Sequence, residues 1–223
     1  MTRFYLLFTW LLFFRLAVYP QMDKLPVKEW NATANSPYIV YISGDGGFNN
    51  FSTGLCTALN KRGYCVTAIN AKAYFWEKRT PEQTAGVITS FLEKKFANRT
   101  NQQLVLVGYS FGADVIPFIV NKLPVSMKNK LLCVVLLSPS TSTDFEIHWS
   151  DLLGMDKKRS MDVVAEINRM GSCKTVTIFG ADGNDFQVKS VKLVHYSNEI
   201  LNGGHHYENN IDNLVKTINK YIK

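Results

Sequence analysis

The chain has 223 residues, of which 46% are hydrophobic and 19% charged, and its formal net charge is +7. This composition excludes an intrinsically disordered chain and suffices for one good-sized hydrophobic core, so we expect a single folded domain. The positive charge favours anionic partners such as a phospholipid surface. The lysines and arginines are scattered and accompany no nucleic-acid-binding motif, so we expect no nucleic-acid partner.

The beginning of the chain predicts a targeting segment followed by a linker. Residues 1–20 combine Arg3 with an apolar stretch over residues 4–14 that is short for a bilayer span. This pattern is typical of a secretory signal peptide, with an uncleaved anchor as the alternative. Residues 21–37 are polar and contain prolines, which is typical of a linker. We therefore expect an exported, periplasmic protein whose functional domain covers residues 38–223.

Strands and helices alternate along this domain. Apolar runs predict strands over residues 38–43, 64–69, 104–107, 131–137, 175–179 and 193–196. Helical spacing predicts helices ending near Gly63, over residues 81–96 with Thr80 as N-cap, after Ser110, and over residues 211–221. This alternation favours an α/β fold with a mostly parallel sheet and helices on both of its faces.

The central motif is a serine between two glycines, at the end of the third predicted strand. Gly108-Tyr-Ser-Phe-Gly112 follows four aliphatic residues and leads into a helical pattern. In a nucleophile elbow, such a turn lifts the serine hydroxyl above the sheet, and the glycines allow backbone to approach closely. We predict that Ser110 is a nucleophile; the alternative is that it only caps the next helix.

A glycine-rich turn follows the first predicted strand and contains Gly44, Asp45, Gly46 and Gly47. Such a turn points backbone N–H groups into a cleft. The lysine-bearing pattern of a phosphate-binding loop is absent, so we predict half of an oxyanion hole. The second donor would be the N–H group of the residue after the nucleophile, Phe111.

Carboxylates and imidazoles follow the last two predicted strands. Asp182 and Asp185 come after one strand, and His205 and His206 come after the other. The order serine, acid, histidine is the order of the catalytic residues in α/β-hydrolases. A histidine there takes the serine proton, and the carboxylate orients the imidazole. We predict His205 as the base, with His206 beside it, and keep both aspartates as candidates for the acid.

The four cysteines show no metal-ligand spacing, so we expect neither a metal ion nor another cofactor. In an oxidising compartment, Cys56 and Cys65 are candidates for a disulfide.

Together these motifs resemble the AcvB/VirJ family of bacterial virulence proteins, from residue 38 to the end of the chain. The similar segments are residues 43–48, 74–81, 108–118, 144–148 and 203–206. The resemblance implies an α/β-hydrolase fold, export to the periplasm and a link to type IV secretion. For the AcvB branch it also implies hydrolysis of lysyl-phosphatidylglycerol, an aminoacylated phospholipid.

The resemblance also assigns roles to residues of this chain. Ser110 corresponds to the nucleophile, His205 or His206 to the base, and Asp185 or Asp182 to the acid, of which the family retains Asp185. The chain departs from its relatives in having Phe48 where they often have tryptophan, and it lacks an additional acid and a cysteine near the second aspartate.

We therefore expect an exported serine hydrolase that cleaves an ester. The family resemblance makes an aminoacylated phospholipid the expected substrate. The alternatives are a non-catalytic binding protein of a secretion system and a general carboxylesterase or thioesterase. The segment over residues 138–171 is a candidate cap. If the substrate carries a lysyl group, we expect Asp144, Glu146 or Asp114 to pair with its ammonium.

Overall fold

The structure is a computed structural model and describes residues 25–32, 36–99, 101–148, 159–183 and 185–223. The strands are β1 (Val27–Trp30), β2 (Tyr38–Ile42), β3 (Cys65–Ile69), β4 (Leu104–Tyr109), β5 (Leu131–Leu137), β6 (Ser142–Thr143), β7 (Met161–Asp162), β8 (Thr175–Gly180) and β9 (Tyr196–Leu201). The helices are α1 (Asn50–Lys61), α2 (Ala71–Tyr74), α3 (Pro81–Phe96), α4 (Phe111–Lys122), α5 (Val125–Lys128), α6 (Val163–Asn168) and α7 (Ile211–Asn219).

Seven strands form one sheet in the order β1-β3-β2-β4-β5-β8-β9. All neighbours in it are parallel except β1 and β3, which are antiparallel. One hydrophobic cluster on this sheet includes side chains of α3 and α4, and a second includes side chains of α1 and α7. The predicted α/β-hydrolase fold, with helices on both faces of a mostly parallel sheet, is confirmed.

Helix α3 shows how local sequence sets an element. The Thr80 side chain accepts from the amide of Gln83, whose own side chain accepts from the amide of Thr80, and Pro81 occupies the first turn. This capping box satisfies two N–H groups that the helix itself leaves unpaired. The predicted helix over residues 81–96 is confirmed at both ends.

Two strands of the seven-stranded sheet differ from the sequence prediction, and the short strands β6 and β7 were not predicted. Strand β1 lies inside the range predicted as linker and pairs with β3 at one edge of the sheet. The last strand, β9, begins at Tyr196 rather than at residue 193, because the apolar side chain of Val194 is 85% exposed and stays outside the sheet. Residues 1–20 lie outside the described residues. In the described ranges, no helix combines the length and the apolar character needed to cross a membrane.

The candidate disulfide between Cys56 and Cys65 is not formed. Cys56 belongs to the hydrophobic cluster that contains α1, whereas Cys65 belongs to the cluster on the other face of the sheet. Both thiols are buried and free. The sheet therefore separates two cysteines that are close in sequence.

Candidate active site

Ser110 stands between β4 and α4, in the turn that the sequence predicts. Its backbone has φ 52° and ψ −122°, a conformation that non-glycine residues rarely adopt. The amide of Ser110 donates to the carbonyl of Leu137 at the end of β5, over 2.8 Å. Strained backbone of this kind is concentrated at functional sites, and it leaves the Ser110 residue partly exposed.

Both glycines of the turn are required by its geometry. A Cβ on Gly108 would lie 2.4 Å from the carbonyl oxygen of Gly112. A Cβ on Gly112 would lie 2.2 Å from the carbonyl oxygen of Ile42, at the end of β2. Real Cβ atoms do not approach backbone so closely, so the strand, the turn and the helix pack together only with glycine at both positions.

The glycine loop after β2 lies directly against the serine. A Cβ on Gly44 would lie 3.3 Å from the Cβ of Ser110. The amide of Gly47 donates to the carbonyl of Gly44 over 3.0 Å, and the amide of Gly46 donates to Oδ1 of Asp45 over 2.8 Å. Two of the predicted oxyanion-hole donors are therefore engaged inside the loop.

The amides that remain available are those of Gly44, Asp45 and Phe111. Within the described residues none of the three donates a hydrogen bond to the protein. The amide of Phe111 is at the first position of α4, where a helix leaves N–H groups without an intrahelical partner. Gly44 lies against Ser110 and Phe111 directly follows it, so these amides are the remaining candidates for oxyanion-hole donors.

The two histidines after β9 lie beside the residue that precedes the serine. The ring centroid of Tyr109 is 5.2 Å from that of His205 and 5.9 Å from that of His206. The Tyr109 hydroxyl donates to the carbonyl of His205 over 3.4 Å. His206 also contacts Phe51 of α1, with ring centroids 5.8 Å apart. The fold thus brings the predicted base loop to the predicted nucleophile.

The two candidate acids occupy different places. The amide of Asp182 donates to the carbonyl of Gly203, and its Oδ2 is 3.4 Å from the position of a Cβ on Gly204, the residue before His205. Asp185 instead lines an open cavity of about 670 Å³, together with Arg159 and the β6–β7 hairpin. Asp182 is therefore the acid next to the histidine loop.

Tyr207 fixes the histidine loop to the sheet, and the sequence prediction missed it. Its buried hydroxyl donates to the carbonyl of Ile178 over 2.8 Å and contacts Oγ of Ser138 at 2.7 Å. Burial raises the pKa of Tyr207. The backbone of Tyr207, Glu208 and Asn209 has φ between 51° and 56°. A tyrosine directly after a histidine pair is the only sequence signal for this anchor.

The three acids expected to bind an ammonium have other surroundings. Asp114 is buried in the first turn of α4, and its Oδ1 accepts from the amide of Ser140 over 2.6 Å. Burial raises the pKa of Asp114 to about 7. Asp144 lies 3.1 Å from Nε2 of His148 and 3.6 Å from Nη1 of Arg159. Glu146 is half-buried. Asp114 and Asp144 therefore already have partners within the protein.

Three aromatic rings pack together next to the serine turn, and one of them belongs to the residue that follows Ser110. The ring of Phe75 is 5.1 Å from that of Phe111 and 5.6 Å from that of Phe145. Two backbone hydrogen bonds join this aromatic cluster to the predicted cap: the amide of Arg79 donates to Phe145, and that of Ile147 donates to Phe75. These hydrogen bonds connect the first part of the predicted cap to the segment that follows β3.

Charge is distributed unevenly between the two edges of the sheet. Several cations precede the amino ends of parallel strands, at the edge opposite Ser110: Lys61, Arg62, Arg99, Lys130, Lys174 and Lys192. Carboxylates follow the carboxyl ends, at the edge of the serine: Asp45, Asp114, Asp144, Asp182 and Glu208. Basic side chains at the serine edge include Lys72 and Lys78. The positive net charge is therefore not concentrated at the candidate site.

The described residues offer no metal centre. Among them, no group of three or more histidine, cysteine, aspartate or glutamate side chains is arranged to hold an ion.

Comparison with known proteins identifies a family and a fold. A family model described as "Bacterial virulence protein (VirJ)" matches residues 37–223. No curated protein matches the sequence significantly.

Solved structures of the same fold include three proteins whose printed names describe a thioesterase, an esterase and a lipase. The thioesterase domain from the curacin biosynthetic pathway has a TM-score of 0.57 and 13% identity, covering 86% of this chain and 93% of its own. Est1E from Butyrivibrio proteoclasticus, with ferulic acid bound, has a TM-score of 0.61 and 11% identity, covering 90% and 95%. The monoacylglycerol lipase of Paleococcus ferrophilus has a TM-score of 0.58 and 13% identity, covering 89% and 100%.

Proposed function

This chain belongs to the VirJ family of bacterial virulence proteins, and from that premise we propose that it is a serine hydrolase that cleaves carboxylic esters. Ser110 is the nucleophile, His205 the general base and Asp182 the acid that orients the histidine. The backbone of the glycine loop and the amide of Phe111 bind the oxyanion. His206 packs beside the base, and Asp185 lies outside the triad.

The reaction follows from these roles. The Ser110 hydroxyl attacks the carbonyl carbon while His205 takes its proton, and the oxyanion is stabilised by the N–H groups. The ester C–O bond then breaks, and His205 gives the proton to the leaving alcohol, which leaves an acyl group on Ser110. A water molecule, deprotonated by His205, releases the acid and restores the serine.

One observation carries the proposal: the strained backbone of Ser110 is held between two glycines that tolerate no side chain, directly against a second glycine loop. A serine that merely caps a helix needs neither feature. Moreover, the Ser110 side chain makes no capping hydrogen bond to α4. The local geometry therefore supports a role in presenting the Ser110 hydroxyl rather than in capping the beginning of α4.

Labelling with a fluorophosphonate probe tests the nucleophile. The purified chain without residues 1–20 is treated with the probe, alongside Ser110→Ala and Ser140→Ala as a matched control serine. We expect labelling of wild type and of Ser140→Ala but none of Ser110→Ala. Circular dichroism establishes that all three proteins are folded. Folded wild type that takes no label would contradict the proposal and favour the non-catalytic binding protein of a secretion system.

For the substrate, we propose an aminoacylated phospholipid such as lysyl-phosphatidylglycerol. The family resemblance supports this choice, and so do the carboxylates at the serine edge, which suit a cationic acyl group. The test is incubation of mixed vesicles with wild type and Ser110→Ala, followed by mass spectrometry. We expect release of lysine and phosphatidylglycerol by wild type alone. Turnover of simple esters or thioesters without turnover of this lipid would instead favour a general carboxylesterase or thioesterase.

Export to the periplasm, contact with an anionic membrane surface and an association with secretion proteins remain parts of the proposal. They rest on the pattern of residues 1–20, on the net charge and on the family. Fusion of the full chain to a periplasm-dependent reporter enzyme tests export, with deletion of residues 1–20 as the control. Reporter activity that survives this deletion would contradict the assignment of the signal.

A further inference from the structure

Asp45 is an acidic residue at a position where negative charge is unfavourable. Asp45 directly follows Gly44, which lies against Ser110. Because consecutive Cα atoms are only about 3.8 Å apart, the backbone of Asp45 is also close to the serine turn. Ester hydrolysis builds negative charge on the oxyanion at this same loop. A carboxylate beside an oxyanion raises the energy of the transition state unless a positive charge compensates it.

The negative charge of Asp45 affects two residues close to Ser110 in the sequence. Its carboxylate raises the pKa of Tyr109 and of Asp114, in each case after the larger effect of burial. Tyr109 immediately precedes Ser110, and Asp114 is four residues beyond it in the first turns of α4. Asp45 is thus close enough to act electrostatically on residues that flank Ser110 in the sequence, although burial is the larger effect on both.

The protein does not neutralise this carboxylate within the described residues. Asp45 is half-buried, its side chain accepts from the amide of Gly46, and no basic side chain forms an ion pair with it. Lys72 packs against the same loop, with its Cβ 3.2 Å from the position of a Cβ on Gly47, yet it makes no ion pair with Asp45. The Asp45 carboxylate is therefore available to a cation supplied by a ligand.

We propose that Asp45 is a specificity-determining residue that pairs with an ammonium group on the acyl part of the ester. This inference rests on the proposed hydrolase function. In an α-aminoacyl ester the ammonium is carried by the carbon bonded to the scissile carbonyl. Binding of the carbonyl oxygen at the glycine loop therefore brings the ammonium to Asp45. A neutral acyl group leaves the carboxylate uncompensated.

Two matched esters test the pairing. Lysine ethyl ester carries both ammonium groups, whereas 6-aminohexanoate ethyl ester has the same chain length and lacks the α-ammonium. The measured quantity is the ratio of their kcat/KM values at pH 6.5, where the α-ammonium is charged. We expect wild type to prefer the lysine ester, and Asp45→Asn to reduce the ratio at least tenfold. A ratio that Asp45→Asn changes less than twofold would overturn the inference.

Two further variants separate pairing from other causes. Glu93→Gln removes one exposed negative charge in the last turn of α3, at the opposite edge of the sheet, and we expect an unchanged ratio. An equal fall with Glu93→Gln would mean a long-range effect of net charge. An equal fall with Lys72→Gln would mean that Asp45 acts through Lys72. Either result overturns substrate pairing.

The same assay distinguishes failure of the inference from failure of the proposed function. Hydrolysis of the 6-aminohexanoate ester by wild type and not by Ser110→Ala supports the serine hydrolase, whatever the ratio. In that case an absent preference overturns only the role of Asp45. Failure of folded wild type to hydrolyse either ester, together with an absence of probe labelling, overturns both.

Discussion

Asp114 accepts a hydrogen bond of 2.6 Å from the amide of Ser140, and its side chain is buried in the first turn of the helix that follows Ser110. The contact joins the first turn of α4 to the segment that leaves β5. Burial disfavours the charged carboxylate and raises the pKa of Asp114 to about 7, although the hydrogen bonds from Ser140 act in the opposite direction. The fold therefore keeps an ionisable group whose charge is unfavourable at neutral pH.

Asp114→Asn is expected to stabilise the protein above pH 7. The folded pKa of Asp114 lies above the unfolded value of about 3.9, so the folded state binds more protons and wild type loses stability between about pH 4 and 7. Asparagine keeps the acceptor for the Ser140 amide and has no charge. The gain is on the order of 4 kcal/mol at pH 8, from about 1.4 kcal/mol per unit of pKa difference, and close to zero at pH 4. Urea unfolding at both pH values measures it, and an equal effect at the two values would contradict the buried titration.

Gly108→Ala is expected to destabilise the protein by about 3 kcal/mol or more, because its Cβ would lie 2.4 Å from backbone that has no room to move. Thermal or urea unfolding measures the loss. Gly86→Ala is the matched control, since Gly86 lies in α3 and a Cβ there meets nothing within 4 Å. There the helix propensity of alanine should add about 0.5–1 kcal/mol. Similar losses at the two positions would contradict the close packing of the elbow.

Tyr207→Phe is expected to cost about 1–3 kcal/mol, because it leaves the buried Ser138 hydroxyl without its partner. The histidine loop loses an anchor, so kcat/KM should also fall about threefold to tenfold. Tyr221→Phe is the control: it removes a hydroxyl that donates to Glu199 in a partly exposed position, and should cost less than about 1 kcal/mol with no change in turnover. Unchanged activity of Tyr207→Phe would argue against its role in placing the histidines.

Asp182→Asn and Asp185→Asn distinguish the two candidate acids. Loss of the acid that orients the histidine should lower kcat by about 10²–10⁴, with little effect on stability. We expect this loss for Asp182, beside the histidine loop, and less than about a threefold change for Asp185, which lines the cavity with Arg159. Initial rates on a chromogenic ester measure both. The reverse ranking would return the assignment to Asp185, the acid that the family resemblance favours.

Much of the fold follows from local signals in the sequence. The capping box fixes the start of α3, and the apolar run of β5 is long enough to identify it as a buried strand. Strand β1 was not predicted because its Val-Lys-Glu-Trp sequence is short and has two charged residues at its centre. It pairs with β3 at the edge of the sheet. Strand β9 was misplaced because it is a half-exposed edge strand, whose sequence lacks a continuous apolar run.

The sequence alone determined the turn around Ser110, because close backbone contacts at Gly108 and Gly112 restrict those positions to glycine and so leave a recognisable motif. It also predicted that the loops with the candidate acids and histidines lie at the same edge of the sheet as Ser110, since parallel strands end at one edge. Only the tertiary structure distinguished Asp182 from Asp185, placed Cys56 and Cys65 on opposite faces, and left Asp45 without a cationic partner in the described residues. Those outcomes depend on contacts between segments far apart in the chain, which no local pattern encodes.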